Sequence, residues 1–373
     1  MPTPSTTDLL VVGGGILGLS IAYESASSGR SVRLIERGRP GREASWAGAG
    51  ILPPGSWFSE HPAVERLAEA SRPLHGEWSV ALREATGVDD EHEVTGALYQ
   101  VCPDKAEWLE SKFSRWREQG LASRRVSAAD VERIAPGARI GEAYFVPDEA
   151  QVRNPRRLAA LRAVCEARGV TIESDAGAES FDVSGGRIAS LGTARGRFAA
   201  ADFCIAAGAW SGSLAERLRI SLPTKPVRGQ MALLRSPRRG LKRIVHCGGR
   251  YLVPRRDGRV LVGSTVEDVG FDKRTVDAVI AELVAFARDT IPRLADAEVE
   301  AAWSGLRPAS ADGLPMIGRL PGLANGWIAA GHFRSGLQFA PATAVAMRQL
   351  LNGEPPCCDL ADFAPDRFAA VAP

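Results

Sequence analysis

Residues Asp8–Gly38 read DLLVVGGGILGLSIAYESASSGRSVRLIERG. Leu9 to Val12 form a short apolar run with β-branched members, the pattern of a strand buried on both faces. The run stops at Gly13-Gly14-Gly15, and Gly18 completes a G-x-G-x-x-G spacing. A helical pattern follows from Ile16 to about Ser28, with Gly29 placed to end it. Ser31 to Ile35 predicts a second buried strand, which ends at Glu36. Strand, glycine turn, helix and strand in this order are the context in which the spacing marks a dinucleotide site.

Each part has a physical job. Gly13 permits the tight turn, Gly15 lets a pyrophosphate approach the backbone where a Cβ would block it, and Gly18 lets the helix pack close to the strand. The helix N-terminus offers free N–H groups and the positive end of its dipole to the phosphates. Glu36, eighteen residues beyond Gly18, can accept hydrogen bonds from ribose hydroxyls and would repel a 2′-phosphate, which argues against NADP. FAD and NAD share this fingerprint, so at this point either fits.

The chain has 373 residues, enough for two domains or two intertwined lobes. A hydrophobic content of 45% and a charged content of 24% are ordinary for a globular protein. The net charge of +2 gives no nucleic-acid or membrane footprint. Pro237–Arg243 (PRRGLKR) and Arg255-Arg256 read as solvated loop charges. No apolar run approaches the roughly 18 residues of a membrane span, and no membrane insertion is expected. The polar N-terminus MPTPSTTD lacks a basic n-region, so no signal peptide is expected. The six cysteines are scattered without ligand spacing; Cys357-Cys358 are vicinal and Cys247 follows His246, but neither makes a zinc pattern. Reduced thiols, a cytoplasmic location and no metal are the expectation.

Farther along, Pro62 to about Thr86 predicts a long amphipathic helix, Val94 to Val101 a strand, and Lys105–Gln119 and Ala128–Ile134 two more helices. Asn154 is an N-cap candidate with Pro155 as first helical residue. Ala201 to Ala206 predicts a buried strand running into small residues around Gly208. Tyr251–Arg256 and Arg259–Ser264 alternate about Asp257-Gly258, a two-residue hairpin signal. Lys273–Thr290 reads as helix. Trp327 to Ala330, the turn Gly331–Gly336 and a helix from about Leu337 form a second strand–turn–helix unit, whose N-terminus can face an electron-rich group. The pattern predicts a nucleotide lobe from residues 1–87, 147–221 and 301–373, and a sheet-rich substrate lobe from 88–146 and 222–300.

Six segments carry a resemblance: Gly13–Gly18 with Glu36, ASWAGAGIL (Ala44–Leu52), AAGAWS (Ala206–Ser211), YLVPRRDGRVLVGST (Tyr251–Thr265), GLRPASADGLPMIG (Gly305–Gly318) and AAGHFRSGLQFAPAT (Ala329–Thr343). They run from end to end in family order, and the whole chain resembles the D-amino-acid oxidase/glycine oxidase branch of FAD-dependent amine oxidoreductases, the thiamine-pathway glycine oxidases most of all. The resemblance implies an α/β, FAD-binding Rossmann-type two-lobe fold with an antiparallel-sheet substrate domain. It also settles the cofactor as FAD. Besides Gly13, Gly15 and Gly18, the implied flavin contacts are Ile16, Leu17, Glu36 and Arg37, then Ala44, Ser45, Ala49, Gly50 and Ile51, then Ala178 and Gly208. His332, Phe333, Arg334, Ser335, Gly336, Leu337 and Gln338 complete them. Related sarcosine oxidases tether the flavin through a cysteine before the late Asp; counting back from Asp312 gives Gly305 here, so non-covalent FAD is expected.

The resemblance places the substrate carboxylate on Arg307, whose planar fork suits bidentate binding, and on the hydroxyl of Tyr251, with Arg334 near both substrate and flavin. Each has a structural alternative: Arg307 holding a loop carbonyl, Tyr251 a core aromatic at a strand start, and Arg334 pairing within its own turn. His332 invites a general-base role that the family reaction does not call for. The pocket wall includes Ile51, Pro53, Gly249 and Val266; the compared glycine oxidase has a histidine at Gly249 and methionines at Ile51 and Val266, which leaves substrate size unsettled. The implied reaction is hydride transfer from the neutral amine of a small amino acid to the flavin, with imine hydrolysis and reoxidation by O2 to H2O2. The imine would feed thiazole synthesis, with thiazole synthase as pathway partner, and the family implies a homo-oligomer. Two alternatives stand: a D-amino-acid dehydrogenase or sarcosine-oxidase-like enzyme with a quinone or protein acceptor, and a non-catalytic flavin-binding subunit.

Overall fold

In the computed structural model, which describes residues 7–236 and 241–371, the strand Thr7–Val12 lies inside a six-stranded sheet. Residues 1–6, and residues 237–240 of the basic stretch Pro237–Arg243, lie outside the described residues. The sheet order is Met316–Arg319, Gly326–Ala330, Ala200–Ile205, Thr7–Val12, Val32–Ile35, Thr171–Glu173. All neighbours are parallel except the edge pair Met316–Arg319 and Gly326–Ala330. Period-two alternation gives the central strand two buried faces. Leu9 and Val11 pack among the helices Ile16–Ser27, Pro62–Thr86, Asn154–Ala167 and Gly336–Leu351. Leu10 and Val12 pack on the other side, against Ile188 and Leu191 of a three-stranded sheet and Leu214 of the short helix Ser211–Glu216.

Backbone crowding explains the glycines at the head of this sheet. Gly13 has φ 113°, and a Cβ there would stand 2.5 Å from the carbonyl oxygen of Ala206. At Gly18 a Cβ would run into the carbonyl oxygen of Gly13, so the helix could not seat against the turn.

The second sheet has eight strands, in the order Glu298–Ser310, Thr224–Arg235, Arg259–Gly263, Arg250–Pro254, Ile244–Cys247, Ala97–Gln100, Ala143–Val146, Arg124–Val126. It is antiparallel apart from the pair Ile244–Cys247 and Ala97–Gln100. Leu98, Val245, Leu252 and Val262 face an apolar layer that includes Leu283 and Val284 of the helix Asp277–Thr290. Their alternates Tyr99, Ile244, Tyr251 and Leu261 face the opposite way, toward the aromatic layer of Phe113, Trp116 and Tyr144. The boundary expected between residues 300 and 301 falls inside the strand Glu298–Ser310, which stays hydrogen-bonded to Thr224–Arg235 along its length.

Several local expectations change for identifiable reasons. The strand expected at Val94–Val101 is two pieces, Glu93–Val94 in a small three-stranded sheet and Ala97–Gln100 in the large one, separated by Gly96 at φ 69°. Asn154 is the first helical residue rather than the cap, and its side-chain amide donates to the Ser45 carbonyl at 2.7 Å. The hairpin around Asp257-Gly258 closes with Arg255 N–H donating to Arg259 O at 2.8 Å, so three residues rather than two make the loop. Arg255 is no solvated charge. Its guanidinium turns inward to the carbonyls of Ala49 (2.7 Å) and Val152 (3.1 Å), and burial pulls its pKa down to about 10. The helix expected from Lys273 starts at Asp277. Among the described residues no helix is long and apolar enough to cross a membrane.

Candidate active site

A cavity of about 680 Å³ runs from the Gly13–Gly15 turn to the aromatic face of the eight-stranded sheet. Gly13, Gly15, Ile16 and Leu17 line its first end, and Gly18 sits beneath them, off the wall. Glu36 reaches into the same end. Its two oxygens accept from Gly14 N–H (2.7 Å) and Gly38 N–H (3.1 Å), and a carboxylate so held has lone pairs left for ribose hydroxyls. Arg37 also lines the cavity; its guanidinium lies 3.4 Å from the centroid of the Trp210 ring and pairs with Glu43 at 2.7 Å. Ala178 and Gly208 line the wall beside it.

The middle of the cavity is the turn Ala44–Ile51. Ala44, Ser45, Ala49, Gly50 and Ile51 all line it, and Ser45 Oγ accepts from the first helical N–H, Ile16, at 2.9 Å. Facing them are His332, Phe333, Arg334, Gly336, Leu337 and Gln338. Gln338 spends its amide nitrogen on the carbonyls of Pro53 and Gly55, both at 3.0 Å, which fixes Pro53 in the wall. His332 is buried with Nε2 3.1 Å from Thr343 Oγ1, and burial pushes its pKa down to about 3. It is neutral and turned into the protein. Ser335 is also buried but lies off the wall, because its amide closes the turn onto His332 O at 2.9 Å.

At the far end stand Tyr251, Arg307, Arg334 and Gly249. Arg307 lies across the neighbouring strand. Nη2 donates to Ser264 Oγ at 2.8 Å, and Nη1 donates to Thr265 O at 3.1 Å. Gly229 makes room, since a Cβ there would overlap the guanidinium. Arg334 lies 4.3 Å from the Phe58 ring centroid and has no hydrogen bond or ion pair among the described residues. Burial lowers the pKa of both arginines, that of Arg334 to about 10 with Arg307 adding repulsion. Glu267, the acid whose charge reaches Arg307, is itself paired with Arg228 at 2.5 Å. The acids that line the cavity, Glu36, Glu43 and Glu179, lie toward the Gly13 turn. Among the described residues no carboxylate lines the far end beside the two guanidiniums, an arrangement that favours a small anion. Val266 does not line the cavity; it is 56% exposed, because Thr265 turns inward to accept from Gln230 N–H at 2.9 Å and its neighbour points out.

Three further residues line or back this end without an expectation attached to them. Tyr99 and His246 stack at 4.0 Å between ring centroids, and both bond to the buried Glu149, His246 Nε2 at 2.7 Å. The signal was present in VHCGGRYLV: Gly248-Gly249 is a two-residue turn, and the hairpin it closes sets His246 opposite Tyr251.

The residues fit FAD. A long cavity begins at a glycine turn bare of side chains, passes an acid with free lone pairs, and ends at the cationic wall. Gly13, Gly15 and Glu36 would hold its nucleotide end, and the walls around Ala49 and Leu337 its isoalloxazine. A family model described as "FAD dependent oxidoreductase" (DAO) matches residues 8–350. The chain is 38% identical over 358 residues to "Glycine oxidase" of Pseudomonas aeruginosa, covering 96% of this chain and 98% of that protein. It is 33% identical to "Bifunctional protein ThiO/ThiG" of Trichormus variabilis, covering 93% of this chain and 53% of that protein. The crystal structure of glycine oxidase from Geobacillus kaustophilus superposes with a TM-score of 0.93 at 31% identity, covering 97% of this chain and 99% of that one.

Proposed function

The chain belongs to the FAD dependent oxidoreductase family and is an FAD-dependent amine oxidoreductase, and from that premise we propose that it oxidises glycine or another small amino acid, with O2 as electron acceptor. The observation that carries the substrate class is the pair Arg307 and Arg334, two guanidiniums at one end of the cavity without an acidic partner. In this reading Arg307 and Tyr251 take the substrate carboxylate. Arg334 and the aromatic wall close over the α-carbon, and water is kept from the reacting bond. FAD, when bound, supplies the two-electron oxidation that turns the amine into an imine. The fused ThiO/ThiG relative supports a link to thiazole synthesis.

We also propose that the cofactor is non-covalent. The position at which the related enzymes carry the tethering cysteine is Gly305 here, a residue with no thiol, packed against Ala47. The two-lobe division of the chain is retained in this proposal, with the last boundary placed after Ser310.

The test is anaerobic. Glycine, sarcosine, D-alanine and D-proline are added separately to the purified protein while the visible flavin band is followed. Fast bleaching by glycine or sarcosine, with peroxide on admitting air, is the expected result. Bleaching by larger D-amino acids alone, without peroxide, would move the enzyme to the dehydrogenase reading.

A further inference from the structure

A small amino acid in neutral water carries an ammonium, whose nitrogen has no lone pair to support an imine. Arg307 and Arg334 disfavour a third cation beside them, but the proton still needs an acceptor. His332 is not that group, being turned onto Thr343 and held neutral by burial. Resting on the amine-oxidase reading above, we propose that His246 accepts the ammonium proton of the substrate, with Glu149 stabilising the imidazolium that forms.

The geometry supports this in three ways. His246 lies directly opposite Tyr251 in one strand pair and Tyr99 in the other, so the three side chains form a row across the cavity wall. The His246 and Tyr251 ring centroids are 6.3 Å apart, a gap that a small amino acid can span with its carboxylate toward Tyr251 and its amine toward His246. Second, Glu149 is fully buried and accepts from two donors, the Tyr99 hydroxyl and His246 Nε2–H. Burial and the Glu149 charge push the Tyr99 pKa well up, so that hydroxyl stays a donor and the carboxylate an acceptor. An acceptor-only carboxylate fixes the proton on Nε2 and leaves the lone pair on Nδ1, which has no partner among the described residues. Third, the ring is held from several sides, by Tyr99 stacking and by Trp57, 6.3 Å between centroids. The other ionisable groups around it are Tyr251 and Arg250 of its hairpin partner, Cys247 of its own strand and Cys102 of the adjoining segment. Lys105 donates to Gly248 O at 2.9 Å, and Arg307 and Arg334 line the same cavity. Glu149 is the acid among them.

In the proposed step the ammonium N–H bond breaks, its electron pair stays on nitrogen, and the proton passes to Nδ1 while the Nε2 proton remains in its bond to Glu149. No electron leaves the substrate until the amine is neutral.

The test is the rate of anaerobic flavin reduction by saturating glycine as a function of pH, in the wild-type holoenzyme, His246→Gln and Glu149→Gln. In wild type the rate should fall on the acid side along one limb. His246→Gln should lose about 100-fold or more at neutral pH, with its limb moved toward the pH where free glycine loses its ammonium proton, and should recover when alkaline. Glu149→Gln should move the limb in the same direction by less. An unmoved limb, or an equal loss at every pH, overturns the proposal, because a packing role changes rate without changing titration. If His246→Gln fails to retain FAD, the same two outcomes are read from Glu149→Gln. No reduction of the wild-type flavin at any pH would instead sink the amine-oxidase reading itself.

Discussion

Arg307→Ala should weaken binding of glycine, or of an unreactive small carboxylate, by about 2–5 kcal/mol, the range for truncating one member of a buried charge pair. Titration of the flavin spectrum measures it, and Arg307→Lys should rescue poorly because a point charge cannot replace the fork. His332 makes a second residue-level prediction. With its pKa near 3 in the fold and 6.5 when unfolded, the native state binds fewer protons than the unfolded state between those values. Stability from this site is intact above about pH 6.5 and is lost progressively as pH falls toward 3. His75, also at about 3, acts in the same direction. Melting temperature should therefore decline between pH 6.5 and 4.5, and His332→Gln should flatten part of that decline. At this scale the sequence exposed the residues with a motif around them, Glu36, Tyr251 and Arg307. It concealed Glu149, which lies about a hundred residues from the histidine it holds.

At the scale of elements, clearance across strands governs the site. Gly229 stands in no motif, and its role appears only when its strand is laid beside Glu298–Ser310. Gly229→Ala should raise the KM for glycine by displacing Arg307 while leaving FAD content unchanged, which separates it from a folding defect. Arg255 shows the reverse error: an arginine pair in a hairpin looked solvated, yet one member pins Ala49 and Val152. Arg255→Met should loosen the Ala49–Ile51 turn and speed FAD loss on dilution, followed by flavin fluorescence. The buried parallel strands were legible as short β-branched apolar runs bounded by glycine turns, and the long helix Pro62–Thr86 by its helical apolar period. The split at Gly96 was not, because a left-handed glycine leaves the apolar pattern intact.

For the whole molecule, mass spectrometry of the denatured protein should give the mass of the chain alone; chain plus flavin would overturn the non-covalent reading and place the tether on a residue other than Gly305. The order of segments along the chain was readable, since three α/β blocks separated by sheet-rich blocks allow few arrangements. The exact passage between the lobes was not, because one continuous strand, Glu298–Ser310, carries Arg307 past the expected boundary. The two unbalanced guanidiniums also shape how the enzyme meets its surroundings. They make the far end of the cavity behave as an ion exchanger, in which glycine enters by displacing whatever small anion is abundant. The apparent affinity for glycine should then fall as chloride or acetate rises, with turnover at saturation unchanged, so that the salt content of its environment sets the glycine level at which the enzyme begins to work.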